Sequence, residues 1–237
     1  MFSNDFVFVL YFINVIGRNG GTMEIIIVFI ITYVIYIFIR RAKLQRQTDK
    51  FNKLLYVDKS PEKYIAEVDK LLRKLQSDTE RNINLIQKTT GLLYAGRFED
   101  VINILTVDIK KIPPNWQPIY YHNLVLSLYF NGEIEKGNEY LNEAKEAVKR
   151  YEKFDFYKSA IDMMYAVSDY YNGNSESHKQ FFEKLSSEGK NDYRIAFGYY
   201  FLGKINEIES NLVESELCFN KSKLYGKGSF FENLSVN

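Results

Sequence analysis

Residues able to do chemistry are scarce in this chain of 237: one cysteine, two histidines and one tryptophan, with 31 Lys and Arg set against 30 Asp and Glu for a net charge of +1. A lone Cys218 excludes an internal disulfide framework and agrees with a reducing compartment. His122 and His178 lie far apart, and neither belongs to an HExxH or Cys/His pattern that could hold zinc, so no metal or cofactor is expected. Gly20 and Gly21 are followed by no Gly-Lys-Ser/Thr and preceded by no strand pattern, which excludes a phosphate loop. Non-specific nucleic-acid affinity needs a basic surface, whereas residues 60–237 are mildly acidic. The acids of Glu133–Arg150 alternate with lysines in solvated i, i+4 pairs and converge on no site. Catalysis is therefore not expected.

Proline is sparse too. Four in the whole chain, two of them adjacent at Pro113 and Pro114, together with few alternating stretches, predict an all-α protein. The strong bias to Ile, Asn, Lys, Tyr and Phe is that of an AT-rich genome and points to a bacterium.

Against this background one apolar run stands out. Residues 25–39, IIIVFIITYVIYIFI, carry no charge and end in Arg40, Arg41, Lys43 and Arg46. An all-round apolar run with a basic edge predicts a transmembrane helix over residues 23–41, its arginines and lysine at the membrane interface and the larger C-terminal part cytoplasmic. That reading implies a single-pass cell-membrane protein in contact with lipid through residues 23–41. Residues 42–59, which hold five basic side chains (Lys43, Arg46, Lys50, Lys53 and Lys59) beside Asp49 and Asp58, are expected as a basic juxtamembrane linker. Residues 1–22, with a short apolar run at Phe6–Ile16, form an extracytoplasmic or non-native extension. Met23 is a candidate natural start, since a Gly-Gly pair before Met is what a translated purine-rich ribosome-binding site produces.

Residues 60–229 read as amphipathic helices, beginning with a Ser60-Pro61-Glu62 start signal and the i, i+3, i+4, i+7 series Tyr64, Ile65, Val68, Leu71, Leu72 and Leu75. Residues 230–237 are expected to be a flexible tail. Gly96, Gly132 and Gly173 each follow a helical stretch, each stand two residues after an aromatic (Tyr94, Phe130, Tyr171), and recur at spacings of 36 and 41 residues. Four units follow from this pattern. The first runs from Asn82 through Leu85, Leu92, Gly96, Phe98, Val101 and Leu105 to Pro113; the second runs from Pro118 through Tyr121, Leu124, Leu128, Gly132, Ile134, Gly137, Leu141 and Ala144. A third begins near Ser159, with Ala166, Gly173 and Phe182; the fourth, near Ala196, has Tyr199, Leu202, Gly203, Leu212, Ser215, Phe219 and Ser222, with Ser210 in place of the turn glycine.

On these residues the chain resembles the tetratricopeptide repeat family, whose unit is a 34-residue helix-turn-helix. Asp169, Ser175 and His178 depart from the family's apolar or small residues in the third unit. The resemblance implies a TPR-like antiparallel hairpin array, an α-solenoid, behind the membrane helix. It also implies a concave peptide or partner groove formed by Tyr94, His122, Leu126, Tyr129, Phe130, Met163, Tyr170, Tyr171, Phe197 and Tyr200. The expected function is a membrane-anchored scaffold or docking protein for a protein or peptide partner at the membrane. A peptide-sensing regulator and a structural subunit of a membrane complex are the alternatives.

Overall fold

The computed structural model describes residues 22–109, 111–174 and 178–234, and the chain divides into two compact units between Asn52 and Lys53. The expected extension up to residue 21, the apolar run Phe6–Ile16 and the last three residues lie outside the described residues. Among the described residues every regular element is helical, so the all-α expectation holds.

The described part of the first unit is one helix, α1, Thr22–Asn52. It carries Arg40, Arg41, Lys43 and Arg46 on exposed positions and continues unbroken through most of the expected linker. The membrane expectation is corrected here: among the described residues no helix is long and apolar enough to cross a membrane. The reason is length. The uncharged stretch with described side chains, residues 26–39, rises only about 21 Å at ~1.5 Å per residue, against a hydrocarbon core of roughly 30 Å. The turns that would complete it bring in Arg40, Arg41 and Lys43. With the span goes the single-pass cell-membrane placement.

The second unit opens with a short π-helical turn, Lys53–Val57, then α2, Pro61–Leu72, which has Pro61 in its first turn and buries Tyr64, Ile65 and Val68. Four helical pairs follow. They are α3 (Asp78–Tyr94) with α4 (Phe98–Asn103, continued as a π turn to Asp108), α5 (Gln117–Phe130) with α6 (Ile134–Lys149), α7 (Asp155–Tyr171) with α8 (Lys179–Glu188), and α9 (Asp192–Ile208) with α10 (Leu212–Tyr225). N-caps are supplied where the sequence has them: Ser77 accepts from the Glu80 amide at 3.5 Å, and Asn191 from the Arg194 amide at 3.1 Å.

The four turns are built alike. Gly96, Gly132, Gly173 and Ser210 all take a positive φ, of 75°, 79°, 83° and 61°. In the first, the Gly96 amide donates to the Leu93 carbonyl at 3.1 Å and the Arg97 amide to that of Leu92 at 2.9 Å, the paired bonds of a Schellman motif. The same pair recurs at Gly132/Glu133, Gly173/Asn174 and Ser210/Asn211. A residue without a Cβ suits this geometry, which is why glycine marks three of the turns in the sequence.

The core sits around α5, where every side chain from Tyr120 to Tyr129 is buried. Helices α3, α4, α6 and α7 all pack on it. A helix that is apolar on all sides must be enclosed on all sides. Its one amide in the α3 contact, Asn123, donates to Thr89 and Thr90 hydroxyls at 3.0 Å each, so the buried polar group is satisfied. Helix α8 packs on α9, and α9 on α10, with Ser215 and Ser222 hydroxyls donating to the Gly203 and Ala196 carbonyls.

Candidate interaction site

The first helices of the pairs bring their aromatic side chains to one region, but they do not leave it open. Of the ten residues assigned to a groove, Tyr94, His122, Leu126, Tyr129, Met163 and Phe197 are buried, and Phe130, Tyr170, Tyr171 and Tyr200 are half-buried. Tyr94 of α3 reaches Tyr193 of α9 with ring centroids 4.6 Å apart, and Tyr56 from the opening π turn lies against both. The first and fourth pairs therefore meet, and rings expected to face a peptide face one another. Tyr129 stacks on Tyr171 at 5.2 Å, and its hydroxyl lies 2.7 Å from Asn138 Oδ1 and 2.8 Å from Ser168 Oγ. These rings belong to the core between the second and third pairs. Burial holds the Tyr171 hydroxyl well above the usual tyrosine range and pushes Tyr200 up to about 12.

Sequence reasoning missed several members of this cluster. Phe98, Phe201 and Tyr193 sit on the second helices or outside the expected register, and Phe230 and Phe231 lie in the expected tail. Phe230–Asn233 is a 3-10 turn, and Phe231 is fully buried. Phe230 packs on Phe98, Phe130 and Phe197, and Phe231 on Phe197 and Tyr200. The adjacent Phe-Phe pair itself was the available signal, since a solvated tail has no use for two such side chains.

The titratable candidates are occupied structurally. His122 Nδ1 lies 2.9 Å from the Ala160 carbonyl, to which it donates, and burial with help from Arg194 lowers its pKa to about 3. His178 pairs with Asp169 at 2.7 Å, so two of the three departures from the repeat pattern answer each other; Ser175 lies outside the described residues. Cys218 is buried on α10, and burial raises its thiol pKa. Among the described residues no group of three or more His, Cys, Asp or Glu is placed to hold a metal ion. A cleft of about 310 Å³ lies between α3 and α4, lined in part by Lys88, Arg97, Asp100 and Val107. Two of its basic side chains are paired: Lys88 with Asp69, and Arg97 with Asp100.

Large apolar side chains are exposed at Val57, Val107, Phe154 and Phe156, and a run of them lies along α10. Ser215, Cys218, Phe219 and Ser222 form its buried face. On the opposite side, at i, i+4 and i+11, Val213, Leu217 and Leu224 face outward, and Val213 is 86% exposed. Ile208 and Leu212, at the turn leading into α10, are exposed beside them. No protein-family model matches this chain, and no curated protein and no solved structure matches it either.

Proposed function

We propose that the chain works by binding another protein, as a docking module without catalysis, and that the outer face of α10 is its contact surface. One observation carries this reading: the last helix of a series of similar helical pairs leaves three large apolar side chains exposed on the side away from its buried face. A terminal helix that faces only water needs a polar outer side to stay soluble, as the end units of helical arrays have. Here Val213, Leu217 and Leu224 occupy that side, with Ile208 and Leu212 at its edge. Contiguous apolar patches of more than a few hundred Å² are uncommon on monomers and mark interaction surfaces. The partner it suits is an amphipathic helix, laid along α10 with its own apolar residues at i, i+3 and i+4. The resemblance to the tetratricopeptide repeat family supports the same reading, through the residues of the four units.

The test is crosslinking from a photoreactive residue at position 220, in the middle of the stripe, inside the native cell. Val213→Asp with Leu224→Asp leaves the fold intact, since exposed substitutions shift stability by only about 0.5 kcal/mol. The expected result is loss of specific crosslinked species in the double variant. The same species at the same yield would defeat the assignment.

A further inference from the structure

The Phe230-Phe231 segment is seated in the protein as a ligand would be. It leaves α10 through Gly226 and Gly228, and the backbone bonds of residues 229–234 are local: Ser229 to Gly226, Glu232 to Ser229, Leu234 to Phe231. Glu232 closes the turn on itself by accepting from the Gly228 amide at 2.7 Å. What fixes the turn to the body is its two rings. Phe230 meets Phe98 at 5.2 Å and Phe130 at 5.3 Å, and Phe231 meets Phe197 at 4.8 Å, all edge to face. Such pairs contribute beyond their buried area, and two adjacent aromatic anchors in an aromatic pocket are what a binding hot spot consists of.

The receiving surface is shaped for this occupant. A Cβ added at Gly96 would stand 2.7 Å from Phe230 Cβ, whereas one added at Gly132 or Gly173, the matching turn positions, would meet nothing within 4 Å. At those two turns glycine serves the backbone angle alone. At Gly96 it also leaves room for the seated ring.

We propose that the aromatic pocket formed by Phe98, Phe130, Phe197 and Tyr200 is a second interaction site, specific for a peptide with two adjacent aromatic side chains, and that the chain's own Phe230-Phe231 pair is its resident occupant. A partner peptide of that class gains the site by displacing the segment. The resident copy competes from an effective concentration on the order of millimolar, so the pocket opens only to a partner that is abundant, tightly held or brought close by another contact.

The probe is a fluorescent peptide of residues 226–234, Gly-Lys-Gly-Ser-Phe-Phe-Glu-Asn-Leu, and the receptor is the full chain with Phe230→Ala and Phe231→Ala. The variant should bind the peptide at least ~10-fold more tightly than the unaltered chain does, and a peptide with both Phe replaced by Ala should not bind. Equal binding to the two proteins, equal binding of the two peptides, or no binding by a variant that keeps its helical circular dichroism would each overturn the proposal. A second measurement needs no variant. In the unaltered chain the Glu232 and Leu234 amides should exchange with solvent through a local opening that leaves the α9 amides protected. Exchange of all of them together, only on global unfolding, would make the segment ordinary core and sink the idea.

Discussion

Gly198 lets α9 approach α8 closely, and replacing it by alanine tests the packing of the third pair against the fourth directly. A Cβ at this position would lie 2.4 Å from the Ser186 amide nitrogen and 2.8 Å from the Phe182 carbonyl oxygen. Both are backbone atoms, so no rotamer change relieves the overlap and α8 as a whole has to retreat by about 1 Å to reach ordinary contact. That retreat draws the fully buried Phe182 away from Phe201, on which it stacks at 4.7 Å. Two effects oppose each other. Alanine in a helix interior is favoured over glycine by about 0.5–1 kcal/mol, while forcing extra volume into a packed interface costs about 1–3 kcal/mol and more when backbone must move. The steric term wins, for a net loss of about 2 kcal/mol. In a domain of this size that lowers Tm by roughly 4–8 °C. Thermal denaturation followed by circular dichroism would show it. A Gly198→Ala protein with unchanged or higher Tm would mean that α8 is not held against α9 as described.

Two other outcomes follow from single residues. His122 is held neutral, with its folded pKa of about 3 below the unfolded 6.5, so its contribution is present above pH 6.5 and is lost as pH falls toward 3. The unfolded chain binds the extra proton, and the loss approaches about 1.4 kcal/mol per pH unit, roughly 2–3 kcal/mol by pH 4.5. His122→Asn keeps a donor near the Ala160 carbonyl without the titration, and its urea midpoint should therefore fall less between pH 7.5 and 4.5 than that of the unaltered chain; parallel falls would refute the assignment. Ser210→Gly relieves a serine at φ 61° and should raise stability by about 0.5–1 kcal/mol, read as a higher Tm, whereas a decrease would show that the serine side chain is needed in that turn.

Much of the second unit could be read locally. The turns at Gly96, Gly132 and Gly173 announced themselves because positive φ demands glycine, and even Ser210 was found by register. The helix start at Pro61, and the amphipathic stripes of α2 and α6, likewise follow from short-range rules that a sequence displays.

The apolar run before Arg40 shows the opposite case. Its composition was legible, but whether a stretch of fourteen or fifteen apolar residues suffices to cross a bilayer turns on a few residues at each end, and among the described residues the length falls short. Composition indicates that a surface is apolar and leaves open what covers it.

The candidate site divides along the same line. Sequence alone determined that aromatic side chains recur on the first helices of the pairs, because a residue's place on a helix face depends only on its neighbours a turn away. Only the tertiary structure decided that Tyr94 meets Tyr193, a contact spanning most of the unit, and that Phe230 and Phe231 fill the space between α4, α5 and α9. It also decided that Val213, Leu217 and Leu224 of α10 are left uncovered. Which face of a helix is buried depends on what else the chain places beside it, and long-range packing of that kind leaves no local periodicity to read.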